Sequence, residues 1–256
     1  MTQGRHNRSV VSDAYVINLD RSTDRMRRFK EANAHLGDIR RFSAIDGAEI
    51  DRVTLEREGV ISRDLKYGPG TLGCALSHVA LWRATLERGR SITIFEDDAV
   101  TAEDFAEQAA RIIDSLGDQW DFVLWGCYLN PSFAWIDLGA TRARLHIYGV
   151  RRRNRLEIGA AVAPIKLLHA FGAFAYSLSP SGAKAAIEYC LPLRHRLITF
   201  PDAGVTITDR AQDNALCGLY PSIKAYLVLP CIAIAEAPDD ASSDRLRIDR
   251  AAQMNA

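Results

Sequence analysis

The chain has 256 residues, 48% of them hydrophobic and 25% charged, and its 32 basic residues are balanced by 32 acidic ones. That content suits one large α/β domain, and the neutral balance argues against a nucleic-acid binder, which would carry a basic excess. Five cysteines, at positions 74, 127, 190, 217 and 231, show no CxxC spacing, so neither a disulfide framework nor a zinc site is expected and a reducing, cytoplasmic setting is the default. The N-terminal MTQGRHNRSVVSDA lacks the apolar core of a secretory signal. The most apolar segment, Tyr226 to Ala235, contains Pro230 and is about half as long as a membrane span needs, so any membrane contact is expected to be peripheral.

The first expected strand is Tyr15 to Leu19 (YVINL). Asp20, Arg21 and Ser22 then turn into a helix with Met26, Phe29 and Leu36 on one side and Gly37 as its stop. A strand, a polar turn and a helix start in this order favour phosphate or ribose groups. Arg41 to Gly47 (RFSAIDG) reads as a second strand. It closes on Asp46-Gly47, where Asp46 either only turns the chain or helps to seat a nucleotide.

The stretch Tyr67 to Val100 (YGPGTLGCALSHVALWRATLERGRSITIFEDDAV) organises the rest. Gly68, Gly70 and Gly73 spell G-x-G-x-x-G, but that fingerprint needs a strand immediately before it, and here the preceding residues are polar and irregular. Pro69 also removes an N–H that a phosphate cradle would use, so the glycines read as a flexible active-site turn. Leu72, Leu76, Val79, Arg83 and Leu86 then keep a mostly apolar stripe at helical spacing, with Thr71 as a possible N-cap and Gly89 as a stop. The opposite face carries Cys74, His78 and Trp82 and could look into a cleft. His78 is either a histidine of the core or its supporting shell, or a contact to a donor phosphate. Ser77 and His78 are helix neighbours, about 100° apart, and do not form a hydrolase pair.

Ser91 to Phe95 (SITIF) is an apolar run of strand length, followed at once by Glu96, Asp97 and Asp98. In an open α/β sheet, ligands bind beyond the carboxyl ends of the strands, so acids placed there face the ligand. Three adjacent carboxylates repel one another, and a divalent cation would offset the repulsion; the alternative is a solvated acidic turn. An extended backbone through the acids would send Glu96 and Asp98 to one side and Asp97 to the other. Oxygen ligation of this kind suits Mn²⁺ or Mg²⁺.

Ala102 to Leu116 reads as a second amphipathic helix and Asp121 to Cys127 (DFVLWGC) as the next buried strand. This alternation points to a mainly parallel central sheet flanked by helices. From Tyr128 to Leu168 the periodicity fades, and the run RRRNR at 151–155 is either a solvated loop or a contact for a lipid-linked acceptor's phosphates. Phe171 to Cys190 gives a strand, Ser179 as N-cap, Pro180 as first helical residue and a small-residue helix. Residues 223–235 form a last apolar strand, and the tail beyond is polar.

GTLGCALSH, a helix of spacer and ITIFEDDAV, in that order, resemble the signature of glycosyltransferase family 25, the bacterial lipooligosaccharide galactosyltransferases and their collagen-modifying relatives. YVINLDRSTDRMRRF, the Ala-Ile-Asp-Gly element and the Gly-x-x-Ala-Tyr strand with its alanine-rich helix are similar to further parts of the family, over roughly residues 14 to 235. VTITDRAQDNAL resembles the family's late Asp motif less closely, because Gln212 stands where a small apolar residue or proline is usual. The resemblance implies a GT-A-like nucleotide-sugar-binding fold over residues 12–237, between a flexible tail at 1–11 and a polar tail at 238–256. It places Asn18, Leu19, Arg21, Arg25, Asp46, Gly73, Ser77, His78, Glu96 and Asp97 at the donor. It also implies Asp98 and Glu96 as ligands of Mn²⁺ or Mg²⁺, Asp213 as general base with Asp209 as its rival, and Gly172 to Tyr176 at the edge of the sugar cleft.

The expected activity is inverting, metal-assisted transfer of a hexose, galactose by resemblance, from a UDP-sugar to a hydroxyl of a lipooligosaccharide or other cell-surface glycan, by a cytoplasmic protein peripheral to the inner membrane face. The competing expectations are a metal-dependent nucleotide phosphohydrolase, which would hydrolyse UDP-sugars regardless of acceptor, and a non-catalytic nucleotide-sugar-binding protein.

Overall fold

Residues 13–37, 39–128, 132–147, 161–200 and 204–236 are described by the computed structural model. The expected tails at 1–11 and 238–256 and the basic run at 151–155 lie outside them. β1 (Ala14–Asn18) has β2 (Arg40–Ser43) on one side and β3 (Ile92–Glu96) on the other, both parallel to it, with Val16 opposite Phe95 and Ile17 opposite Glu96. Side chains alternate along a strand. Tyr15, Ile17, Ile92 and Ile94 therefore enter the core on one face, and Ala14, Val16 and Phe95 enter the core on the other.

Helices cover both faces, which is why these strands are apolar on both sides. α1 (Thr23–Ala32) contributes Met26 and Phe29 to the second core. After α2 (Arg52–Arg57), the long α3 (Pro69–Arg88) brings Leu72, Leu76, Val79 and Trp82 to the first. β4 (Ala99–Thr101) follows the acids, and α4 (Phe105–Leu116) packs Phe105, Ala109 and Ile112 on the α1 side.

The expectation of a mainly parallel sheet is corrected: the main sheet is mixed. Its nine strands run β2, β1, β3, β9 (Ala175–Leu178), β5 (Phe122–Leu124), β12 (Ala225–Leu229), β8 (Ala163–Ala170), β6 (Ser132–Asp137), β7 (Arg142–Ile147). Only the β2–β1, β1–β3 and β5–β12 pairs are parallel. β9 enters antiparallel between β3 and β5. The stretch from 128 to 168, where periodicity fades in the sequence, supplies three further antiparallel strands. β7 alternates exposed and half-buried residues, as a sheet-edge strand with one wet face does.

α5 (Pro180–Cys190) starts as expected, with the Ser179 hydroxyl accepting from Gly182 N. The late motif divides into β11 (Val205–Thr208), paired antiparallel with β10 (Leu197–Phe200), and α6 (Gln212–Leu219). The expected single strand at 223–235 is two strands, β12 and β13 (Ala233–Ala235), and β13 pairs with β4.

Two helix boundaries depart from expectation for local reasons. α1 itself stops at Ala32, and a 3-10 turn, Ala34–Leu36, carries the chain on to the predicted stop at Gly37, φ 72°; between them buried Asn33 turns its side chain across to β4. There its amide donates to Ala99 O and its carbonyl accepts from Thr101 N, both at 2.9 Å. α3 begins at Pro69 behind an N-cap at Gly68 instead of Thr71, so the glycines read as a flexible turn form the start of the helix. Pro fits there because the first helical N–H has no intrahelical partner anyway.

Gly73 has a packing reason. A Cβ on it would lie 2.3 Å from Ile45 O, and one on Gly47 would lie 1.7 Å from Pro69 O, so helix and loop cross at backbone contact. Ser77 pins the crossing, donating to Gly73 O at 2.7 Å and accepting from Ile45 N at 2.9 Å. Gly73→Ala is expected to cost about 3 kcal/mol, the upper end for overpacking, and to lower Tm by about 10 °C. A melt indistinguishable from wild type would show that the crossing is not a tight constraint.

Candidate active site at the strand ends

Strand parity decides where each acid points. Glu96 continues the side of Ile92 and Ile94 and faces α3; Asp97 continues the side of Phe95 and faces α1. Asn18, at the end of β1, shares the Asp97 side with Val16. Its amide donates to Asp97 Oδ2 at 2.7 Å and to Ser22 O at 3.1 Å. From α1, Arg25 Nε donates to Asp97 Oδ1 at 2.8 Å, and a second guanidinium nitrogen reaches the same oxygen. Arg41, which the sequence did not single out, donates to Asn18 Oδ1 at 3.0 Å and to Asp20, completing the support. Asp97 is thus held by α1 and β1, with its side chain only 10% exposed.

The backbone does not stay extended through all three acids. β3 ends at Glu96 and the chain turns through Asp97 and Asp98, which puts an Asp98 oxygen 3.7 Å from Arg25. Burial, and then the neighbouring Glu96 charge, push the Asp98 carboxyl up to about 7, with Arg25 offsetting part of the effect. Asp98 Oδ1 is shut off from solvent and has no hydrogen-bond partner among the described residues. An acid crowded by like charge, with an orphaned oxygen, has the chemistry of a site that takes a cation.

On the α3 side, Cys74, His78 and Trp82 do line up at i, i+4 and i+8, and they face Glu96 and Tyr176 instead of an open cleft. His78 Nε2 is 3.3 Å from Glu96 Oε1, and its Nδ1 is 2.7 Å from Tyr176 Oη. His78 is fully buried and Ser77 is locked in the helix crossing. Arg21 and Asp46 form an ion pair on the rim, where Asp46 also caps a short turn through Ala48 N at 3.0 Å. Leu19 is half-buried, and its carbonyl accepts from Ser22 N at 2.9 Å in the turn between β1 and α1. A shallow depression of about 550 Å³ on another face of α1, lined by Asn18, Asp20, Thr23, Lys30 and Arg41 among others, shares Asn18 but none of the three acids.

The two late acids occupy different environments. Asp209 is 3% exposed, accepts from the Tyr67 hydroxyl and lies 3.3 Å from Arg196 Nε, and Arg196 also donates to Tyr189 O and Cys190 O at the end of α5. Burial pushes Asp209 up while Tyr67 and Arg196 pull it back; the net shift is upward. Asp213, half-buried in the first turn of α6, accepts from Gly172 N at 3.2 Å. Two residues on, Phe174 O accepts from Glu96 N at 2.7 Å. The segment 171–174 therefore ties Asp213 to the end of β3, with Tyr128, 42% exposed, packed against Gly172 and Phe174.

A layered α/β sheet with carboxylates gathered where β1 and β3 end defines a class of proteins that seat their ligand beyond the carboxyl ends of the strands. The sequence model of Glycosyltransferase family 25 (LPS biosynthesis protein) matches residues 11–200, and the chain belongs to that family. It is also similar to a protein of Aedes aegypti described as "Glycosyltransferase 25 family member", 28% identical over an alignment of 134 residues that takes in 45% of this chain and 21% of the relative. The match spans about a fifth of that relative's length. No helix among the described residues is long and apolar enough to cross a membrane.

Proposed function

We propose that the protein transfers a hexose, galactose in the first instance, from a UDP-sugar to a hydroxyl of a lipooligosaccharide or other cell-surface glycan, with inversion at the anomeric carbon. Family membership supports glycosyl transfer. The observation that carries the finer reading is the crowded Asp98 carboxylate, with its orphaned oxygen, beside Glu96 where β3 ends. In this reading the fold is GT-A-like in its use of an acidic motif at the strand ends.

Glu96 and Asp98 would hold Mn²⁺ or Mg²⁺, which supplies charge neutralisation for a departing diphosphate. Asn18 and Arg25 fix Asp97, and through it the turn that presents Asp98. Asp213 takes the proton from the acceptor hydroxyl as the new glycosidic bond forms. The exposed ring of Tyr128, packed against Gly172, whose N–H meets that carboxylate, offers an apolar surface for the acceptor sugar. In this scheme the protein works on the cytoplasmic side of the inner membrane.

The reading is tested with a panel of UDP-sugars and Mn²⁺, monitoring UDP release with and without cell-envelope glycan. Release that rises with acceptor supports transfer. Release indifferent to acceptor makes the protein a phosphohydrolase, and binding without turnover makes it a sugar-nucleotide binder.

The raised Asp98 carboxyl adds a pH prediction. Because its folded value, about 7, lies above the ordinary 3.8, Asp98 stabilises the metal-free fold fully only below the ordinary value, and that stabilisation is lost as pH rises through 7. A cation replaces the proton. Mn²⁺ is therefore expected to raise Tm more at about pH 8 than at about pH 5.5, a difference absent in Asp98→Asn. Equal shifts at both pH values in the wild-type protein would remove Asp98 from the cation site.

A further inference from the structure

We infer that Trp82, Tyr176 and His78 form a directed hydrogen-bond chain whose last donor, His78 Nε2–H, positions Glu96 for its part in the donor site. The inference deepens the proposed function, since it rests on Glu96 as a cation ligand. Direction comes from the indole, which can only donate. Trp82 Nε1 donates to Tyr176 Oη at 2.8 Å, and the same hydroxyl lies 2.7 Å from His78 Nδ1. All three side chains are fully buried.

With its oxygen accepting from the indole, the Tyr176 hydroxyl has its own proton to place, and Nδ1 is the acceptor it meets. An imidazole whose Nδ1 accepts carries its ring proton on Nε2, 3.3 Å from Glu96 Oε1. Tyr176 is held for this by its ring, stacked on Phe122 with centroids 4.6 Å apart. Cys74, one turn before His78 on α3, brings its Sγ to 3.9 Å from the same Glu96 oxygen. The i, i+4, i+8 face of α3 thus reaches the acid motif through Glu96, and His78, with both ring nitrogens engaged, is a positioning residue rather than a phosphate contact.

Cys74, His78 and Glu96 also place one ligand atom each within 4.8 Å of one another, a donor set that a zinc-like ion could use. A metal on Nε2 would send the ring proton to Nδ1. Tyr176 would then receive two donors, and its own buried proton would lack an acceptor. The chain leaves no polar atom of the three side chains in that position, which is why the geometry points to it.

The test uses the full chain. ¹⁵N NMR of the histidine rings in metal-free wild-type protein is expected to show the His78 ring proton on Nε2 and none on Nδ1. In Tyr176→Phe, which keeps the ring stack but removes the hydroxyl, that tautomer is no longer enforced and the His78 signals shift. Mn²⁺ affinity, read as free ion by electron paramagnetic resonance, gives the second measurement. His78→Gln keeps an N–H donor near the Nε2 position and is expected to stay within about threefold of wild type, whereas His78→Leu, similar in bulk but without a donor, weakens Mn²⁺ by about 10- to 100-fold. A packing role reverses that order. The proposal is overturned by a proton on Nδ1, by a zinc-bound Nε2 in the purified protein, or by a leucine variant that binds Mn²⁺ as well as the glutamine variant. Wild-type protein that binds no Mn²⁺ would overturn the ligand role of Glu96, and with it the proposed metal site, while the tautomer would still report the chain itself.

Discussion

Asp98→Asn is expected to weaken UDP binding in the presence of Mn²⁺ by at least about 100-fold, above the 10- to 100-fold range for residues that only support a metal ligand. The same substitution should leave the fold intact. Asn keeps the shape of the side chain and removes the charge that burial and Glu96 make unfavourable, so at about pH 8 the metal-free Asp98→Asn protein should melt no lower than wild type. Loss of binding without loss of stability distinguishes a ligand from a structural carboxylate. Asp97 is the contrast, because it is held by Asn18 and Arg25. Removing it would leave Arg25 without its main partner and reduce stability and binding together. Calorimetry showing equal UDP affinity for the wild-type protein with and without divalent ion would sink the assignment of Asp98.

The acid motif and its surroundings were legible because they lie on strands and helices with clear periods. SITIF followed by EDD placed a buried strand and the acids at its end, and the parity of that strand alone sends Glu96 and Asp97 to opposite helices. The spacing of Cys74, His78 and Trp82 correctly put them on one face of α3. What that face meets was not legible, because Tyr176 arrives from a strand about a hundred residues later, on a topology that local pattern cannot reveal.

The mixed sheet escaped for a similar reason. β9 lies between β3 and β5, although it comes after both in the chain, and nothing in GAFAYSL states the direction in which it enters. β7 lies in the stretch where periodicity fades: RARLHI alternates in the period of a strand, but its polar face masks it among loop-like neighbours. Gly73 and Ser77 belong to a motif whose resemblance implies donor contacts, and the structure places them at a helix crossing whose tightness depends on Gly47, far away in sequence, which no local pattern states. Arg196 carried no signal at all: its role depends on where the end of α5 meets Asp209.

Asp213→Asn is expected to lower kcat by about 10²-fold or more while leaving the KM for the donor nearly unchanged, because general-base catalysis is lost and the acid motif at β3 is untouched. Asp213 is suited to the role. It is half-buried, stands in the first turn of α6 where a negative charge is favoured, and is drawn by Gly172 N toward the segment that meets Glu96. Asp209, its rival, is enclosed and committed to Tyr67 and Arg196, so a bulky acceptor hydroxyl has no open path to it. Breaking that buried pair with Asp209→Asn should cost about 3 kcal/mol of stability, with turnover per folded molecule close to normal. The two variants therefore separate by readout. Thermal melts should single out Asp209, and kcat measured well below the melting range should single out Asp213. Full activity in Asp213→Asn beside an inactive, normally folded Asp209→Asn would move the base to Asp209, and would require the Tyr67 side of that carboxylate to open when the acceptor binds.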